Sequence, residues 1–174
     1  GFIYATAIGG EITPEEKIRR INTAGADRLM RIETSPPVGE LTNDTLSVFV
    51  DVVSRENDIY SVLDRTEGRI YTYSFNGDLL YAFGAIGDVD GAFRNPSGMT
   101  ELDGKLIVVD AIKNSITVFA PTPYQRLIHE AIDYYSNGNY DAATECWKEI
   151  LKQNSNYDLA YSGIGSSLLM QADY

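Results

Sequence analysis

The chain has 174 residues, 44% of them hydrophobic, and its 14 basic and 25 acidic side chains give a formal net charge of −11. One cysteine and one histidine exclude a disulfide framework and cysteine-ligated zinc. No apolar run approaches the ~20 residues of a membrane-spanning helix, so we expect no direct membrane insertion. An acidic surface repels phosphate backbones, which disfavours nucleic acid and leaves proteins, peptides and neutral ligands as partners.

The composition changes near residue 121. Before it, short runs of Ile, Val, Tyr and Phe end at Asp, Asn or Gly, which is typical of strands and tight turns. After Pro121 and Pro123, apolar residues recur at three- and four-residue spacing, which is typical of helices. The sequence therefore predicts two domains, an all-β part over residues 1–121 and an all-α part over residues 122–174.

The first part repeats itself. A shift of 46 residues places Asp64 on Asp110 and Ile70 on Ile116. A shift of 52 residues places Ile18 on Ile70, so "KIRRINTAGADRLM" is an earlier copy of "RIYTYSFNGDLLYA". Three copies are present, two of them incomplete, and stacked copies of one unit are the expected architecture.

The middle copy predicts four strands. Asn76-Gly77 predicts a two-residue type I′ hairpin turn, because both central positions of that turn need positive φ. A four-stranded antiparallel unit cannot bury both faces alone, so such units stack around an axis as propeller blades. The predicted strands are Leu46–Val53, Asp58–Leu63, Arg69–Ser74 and Leu79–Phe83.

The stretch "GAIGDVDGAFRNPSGMTELDGKLIVVDAIKNSITVF" resembles an NHL-type propeller repeat. Asp110 would close the second strand of that blade, and residues 114–119 would form the third. In the first copy, "ETSPPVGELTNDT" replaces the inter-blade loop. The resemblance implies a propeller, usually of about six blades. Its loop residues here are Gly84, Gly87, Gly91, Phe93, Pro96 and Gly98.

The second part has a period of 34 residues, which places Leu127 on Tyr161 and Ala131 on Gly165. That is the tetratricopeptide length, and the stretch resembles one and a half tetratricopeptide repeats. Ser155 stands where that family usually has a helix-ending proline. The predicted helices are Tyr124–Ser136, Tyr140–Gln153 and Tyr157–Leu169.

Both repeat arrays are incomplete by this interpretation. The first blade lacks its inner strand, the third lacks its outer strand, and the second tetratricopeptide unit stops at its turn tyrosine. We therefore expect a fragment of a longer protein. Unpaired sheet edges invite association, so we expect the open propeller edges to be covered by a second copy, giving a homo-oligomer.

Enzymatic interpretations have incomplete residue sets. His129 and Cys146 could meet across a helix pair, but a small buried cysteine suits a helical core. Asp88 and Asp90 form part of a calcium loop without its remaining ligands. "GAIGDVDG" lacks the lysine and helix of a phosphate-binding loop. We expect no metal and no cofactor at these places.

Tyrosines and arginines leave alternatives open. Tyr60, Tyr71, Tyr73 and Tyr81 alternate along strands, which favours packing between blades over an exposed binding surface. In "KIRRINT", Arg19 and Arg20 would point to opposite faces, which favours a solvated strand over a nucleic-acid patch.

The leading hypothesis is a non-enzymatic scaffold that binds a protein or peptide. The alternative is a metal-dependent propeller hydrolase or lyase, completed by blades missing here, with Asp51 and Glu101 as its only plausible axial carboxylates. A third possibility is a structural stalk, an extracytoplasmic part of a membrane-anchored protein, and the compartment stays open. The predicted binding residues are Asp88, Asp90, Arg94, Asn95, Arg126, His129 and Asp133.

Overall fold

The computed structural model describes residues 1–7, 17–29 and 47–171. The chain divides into two compact units, Gly1–Ala120 and Pro121–Tyr174. The first unit contains strands, and the second contains helices α1 (Pro123–Ser136), α2 (Tyr140–Gln153) and α3 (Asp158–Gln171). The strands are β1 (Ile3–Thr6), β2 (Ile18–Ile21), β3 (Phe49–Ser54), β4 (Tyr60–Asp64), β5 (Arg69–Tyr73), β6 (Leu79–Phe83), β7 (Pro96–Leu102), β8 (Lys105–Asp110) and β9 (Ser115–Phe119).

Within the described residues, these strands form three antiparallel sheets in which neighbours in sequence are neighbours in space. The first sheet is β1–β2, the second is β3–β4–β5–β6, and the third is β7–β8–β9. The predicted four-strand order of the middle copy is confirmed. Its second strand begins at Tyr60 rather than Asp58, because Asn57 and Asp58 adopt positive φ values of 56° and 54°. Leu46 and the segment "ETSPPVGELTNDT" lie outside the described residues.

The turn between β5 and β6 differs from the type I′ turn that Asn76-Gly77 predicts. Within this loop only Gly77 has positive φ (88°), whereas Asn76 does not. The Gly77 N–H donates to the Ser74 carbonyl at 3.0 Å, and the Ser74 N–H donates to the Asp78 carbonyl at 2.9 Å. The connection is therefore a three-residue loop, residues 75–77, in which only the last position has a left-handed backbone. Glycine fills that position because it has no Cβ to clash at positive φ.

Asp110 fixes the end of β8. Its carboxylate is 1% exposed and accepts N–H bonds from Ile112 (3.0 Å) and Lys113 (2.9 Å), which lie in the following turn. It also accepts from Arg94 (2.6 Å) and Asn95, which precede β7. Burial acts to raise the pKa of Asp110, but the N–H donors of these four residues outweigh it, so the net pKa is lowered.

Asp64 repeats this arrangement at the end of β4. Its carboxylate, which is fully buried, accepts from the N–H groups of Thr66 (2.8 Å), Glu67 (3.3 Å) and Val48 (3.3 Å). A shift of 46 residues converts these three donors into Ile112, Lys113 and Arg94. The sequence repeat is therefore a repeat of one hydrogen-bonded aspartate turn, which ties the start of each inner strand to the turn after the next strand.

Two apolar clusters join the sheets. Between the first and second sheets, Ile18 packs with Phe49, Val62, Tyr71 and Tyr73. Tyr60, Tyr71 and Tyr73 are at most 6% exposed, so these three tyrosines serve packing, as predicted. Between the second and third sheets, the buried residues are Leu63, Ile70, Phe93, Met99, Leu106 and Val108.

The three C-terminal helices begin and end within two residues of their predicted bounds. Thr122 and Gln125 form a reciprocal capping box that starts α1, and the Asn139 side chain caps α2. Trp147 of α2 is 5% exposed and lies against Gly163 of α3. In the described part of the chain, no helix is long and apolar enough to span a membrane.

Replacing Asp110 with asparagine should lower the free energy of unfolding of the first unit by about 1–3 kcal/mol at neutral pH, since charged hydrogen bonds are lost. Because the native pKa lies below the ordinary 3.8, this stabilisation is present above that value and disappears as the pH falls through the native pKa. Urea unfolding at several pH values measures the difference, which should shrink in acid. Asp103→Asn, at an exposed turn, is the control, and an equal loss there would contradict the assignment.

Gly163 and Gly165 offer a matched pair of substitutions in α3. A Cβ at Gly163 would lie 2.5 Å from Trp147 Cε2, whereas a Cβ at Gly165 meets nothing within 4 Å. Gly163→Ala should therefore destabilise the helical unit by about 1–3 kcal/mol through overpacking. Gly165→Ala should stabilise it by about 0.5–1 kcal/mol, because alanine is the better helix former. Thermal unfolding followed by helical circular dichroism measures both, and shifts of the same sign would refute the packing.

Candidate functional site

The connection between β6 and β7, residues 84–95, is the most elaborate loop of the described chain. Phe93 anchors it in the core with no exposed surface. The Phe93 N–H donates to the Ala85 carbonyl at 2.8 Å, and the Gly87 N–H donates to the Phe93 carbonyl at 2.8 Å. At its base, a Cβ at Gly84 would lie 2.6 Å from the Gly68 carbonyl oxygen, so the loop begins against the β4–β5 turn.

Lys113, from the turn after β8, closes the loop from the other side. Its Nζ donates to the Ala92 carbonyl at 2.7 Å and to the Val89 carbonyl at 3.4 Å. The neighbouring turn is itself held by Asp110, which accepts from the Lys113 N–H. The aspartate turn therefore also positions the lysine that fixes the loop.

The structure brings two predicted binding residues, Asp88 and Arg94, together in this loop. Arg94 Nη2 donates to Asp88 Oδ2 at 2.9 Å, and Nε donates to the other carboxylate oxygen. The hydrogen bond with Arg94 lowers the pKa of Asp88. Both side chains are more than half exposed, so solvent screens the pair, which orders the loop locally rather than stabilising the fold.

The other two predicted loop residues have different roles. The Asn95 N–H donates to the Asp110 carboxylate, so its backbone belongs to the aspartate turn. Asp90 is exposed at the tip of the loop, between Val89, which is 73% exposed, and Gly91. Arg94 bonds to both oxygens of Asp88, which competes with the cation coordination that a calcium interpretation needs from this carboxylate.

The remaining predicted residues lie on α1. Arg126 is exposed and donates to the Pro121 carbonyl through Nε (3.3 Å) and Nη2 (3.1 Å), so it holds the start of the helix. Asp133 accepts from Asn137 Nδ2 at 3.1 Å near the end of the helix. His129 is half-buried between them and has a contact within the chain. The spacing of three and four residues places all three along one side of α1.

The two carboxylates proposed for a metal site, Asp51 and Glu101, each accept a backbone N–H at a different place. The register of β3 on β4 shifts at Phe49/Asp51, and Asp51 Oδ2 accepts from the Met99 N–H at 2.7 Å, across to the third sheet. Glu101 instead accepts from the Gly104 N–H at 2.5 Å in its own hairpin. Over the ranges that the structure describes, no group of three or more His, Cys, Asp or Glu side chains could hold a metal ion.

Cys146 is a half-buried residue of α2. Burial raises the pKa of its thiol, and the nearby charges of Glu130 and Glu145 raise it further. A thiol is nucleophilic as the thiolate, so a raised pKa opposes the nucleophile interpretation.

Arg20 is a buried residue for which the sequence predicts a solvated strand, and that prediction is wrong. Its side chain is 2% exposed and lies between the rings of Phe75 (4.1 Å) and Phe2 (4.8 Å). Its Nη2 donates to the Arg28 carbonyl at 2.6 Å. Alternation along β2 does place Arg19 outward and Arg20 inward, but the two aromatic rings come from distant segments that the local pattern does not reveal.

No protein-family model and no curated protein matches this chain. Several solved structures are similar to this chain, and three of them are described here. The virginiamycin B lyase from Staphylococcus aureus is 17% identical, with a TM-score of 0.34, over 61% of this chain and 35% of that one. A catalytically inactive form of that lyase with quinupristin is 18% identical, with a TM-score of 0.32, over 61% and 35%. A protein of unknown function from Bacteroides caccae is 14% identical, with a TM-score of 0.33, over 59% and 38%. The matched part therefore spans little more than a third of each neighbour's length.

Replacing Lys113 with methionine should loosen the β6–β7 loop, because the loop carbonyls of Val89 and Ala92 lose their cationic donor. We expect faster hydrogen exchange at the amides of Gly87, Ala92 and Phe93, with β8 still protected. NMR of the exchanging amides measures this. Lys105→Met, at an exposed residue, should leave the loop unchanged, and unchanged loop exchange in Lys113→Met would show that the contact does not hold the loop.

Proposed function

We propose that the chain is a non-enzymatic interaction module, in which NHL-type propeller blades present the β6–β7 loop and a tetratricopeptide-type hairpin presents α1. The 46-residue recurrence of the aspartate turn, at Asp64 and Asp110, supports the blade assignment. The 34-residue period and three helices of equal length support the tetratricopeptide assignment. Both are architectures whose repeats present binding surfaces.

The main support for this proposal is that the β6–β7 loop has a fixed backbone and an exposed tip. Phe93 and Lys113 hold the backbone of residues 84–95, while Val89 and Ile86 are 73% and 49% exposed. An apolar side chain that is held outward in an ordered loop can bind a partner without the entropic cost of ordering that loop. Neither Val89 nor Ile86 belongs to the two apolar clusters that join the sheets.

The overall charge of the chain indicates the partner. Arg94 and Lys113 offset Asp88 and Asp90, so the loop itself is close to neutral. The chain as a whole carries −11, which attracts basic partners over long range. The partner proposed is therefore a peptide segment that combines basic and apolar residues.

A phage-displayed random peptide library, selected on the immobilised 174-residue chain, tests this proposal. Selected peptides should be rich in basic and apolar residues, and Asp90→Lys or Asp133→Lys should weaken their binding about tenfold. Glu56→Lys changes an equally charged, exposed residue in another loop and should leave binding unchanged. Failure to select any peptide, or selected peptides indifferent to both variants, would contradict the proposal.

The metal-dependent alternative gains no support from the described side chains. Asp51 is committed to a backbone bond between sheets, and Glu101 to its own turn. A metal site would have to be built from other residues.

A further inference from the structure

The sequence contains four pairs in which Asp or Asn directly precedes glycine: Asn76-Gly77, Asp90-Gly91, Asp103-Gly104 and Asn137-Gly138. Such pairs are chemically labile. Glycine has no side chain to hinder its backbone nitrogen, so that nitrogen can attack the side-chain carbonyl carbon of the preceding residue. In a folded chain, the attack depends on whether the nitrogen already donates a hydrogen bond and whether the peptide group can turn.

In three of the four pairs, the glycine N–H donates a hydrogen bond. The acceptors are backbone carbonyls for the two Asn-Gly pairs and a carboxylate for one Asp-Gly pair. The bonds are Gly77 to the Ser74 carbonyl (3.0 Å), Gly138 to the Tyr135 carbonyl (3.1 Å) and Gly104 to the Glu101 carboxylate (2.5 Å). Each bond must break before the glycine nitrogen can attack, and a bond to a charged acceptor is the stronger kind.

Gly91 differs from the other three glycines. Among the residues that the structure describes, none accepts a hydrogen bond from the Gly91 N–H, and none donates one to the Asp90 carbonyl. The Ala92 N–H donates to the Val89 carbonyl at 3.1 Å, and Gly91 has a φ of 79°, which defines a type II turn. The peptide group between Asp90 and Gly91 can therefore turn while the Val89–Ala92 bond and the Lys113 contacts stay intact.

We propose that Asp90 is a site of spontaneous isomerisation to isoaspartate. The Gly91 nitrogen bonds to Asp90 Cγ and gives up its proton, the protonated carboxyl group gives up its hydroxyl, and the two leave as water. The product is a cyclic succinimide. Water then adds to one of the two ring carbonyls: addition at Cγ restores aspartate, whereas addition at the Asp90 backbone carbonyl carbon leaves the main chain running through Cβ and Cγ, which is isoaspartate.

The isomer has the same mass and charge as the original chain but a different shape. It adds one methylene to the main chain at the loop tip and attaches the carboxylate directly to Cα. Lys113 holds the backbone on both sides, at Val89 and Ala92, so the extra length displaces the tip. Isomerisation should therefore weaken the peptide binding proposed above. That consequence rests on the proposed function, whereas the reaction does not.

Incubation of the full chain in mildly acidic buffer, which supplies the protonated carboxyl group, tests the proposal. Asp90 and Asp103 form a matched pair, since both are exposed and both precede glycine. Proteolysis with mass spectrometry by electron-transfer fragmentation counts isoaspartate at each position. We expect about tenfold more at Asp90, because Gly104 must first lose its bond to a carboxylate. No isoaspartate at Asp90, or equal amounts at both positions, would overturn the proposal.

Two controls test whether the fold sets this difference. Glu101→Ala frees the Gly104 N–H and should raise isomerisation at Asp103 several-fold, with Asp90 unchanged and circular dichroism showing a folded chain. In denaturant, the two positions of the original chain should react at similar rates. An unchanged Asp103 rate in Glu101→Ala, or a difference that persists in denaturant, would refute the mechanism. Peptide binding measured against the isomerised fraction tests the functional consequence separately, because the isomer is counted whether or not a peptide binds.

Discussion

A buried aspartate that gathers backbone N–H groups is the interaction on which the β unit depends. Asp64 and Asp110 each sit at the end of a strand, almost without exposed surface, and each accepts from residues on two separate segments. Leaving such N–H groups unpaired in the interior would cost more than most single contacts contribute. The carboxylate therefore sets where one strand begins, where another ends and how the turn between them runs.

The candidate binding loop inherits its order from the same interaction. Asp110 binds the N–H of Lys113, and the Lys113 side chain binds two carbonyls of the loop. The Asp110 carboxylate also accepts from the N–H groups of Arg94 and Asn95, where the loop enters β7. The loop tip can consequently expose Val89 and Asp90 on a backbone that is fixed at both ends. Sheet packing and loop presentation are thus two results of one set of hydrogen bonds.

Much of this architecture could be predicted from the sequence, because repeats and helix signals act locally. The 46-residue shift aligns Asp64 with Asp110, and apolar spacing together with the prolines at residues 121 and 123 predicts the helix bounds. The part that failed depends on distant segments. Arg20 is buried by Phe2 and Phe75, and Lys113 reaches carbonyls more than twenty residues away. Neither contact leaves a local pattern.

The most direct test of the aspartate turn is a carbon NMR titration of the Asp110 carboxyl group in the folded chain. We expect a midpoint below the ordinary value of 3.8, with the amide protons of Arg94, Asn95, Ile112 and Lys113 shifting at the same midpoint. A midpoint at or above 3.8, or amides that do not respond, would contradict the claim that this carboxylate organises the repeat.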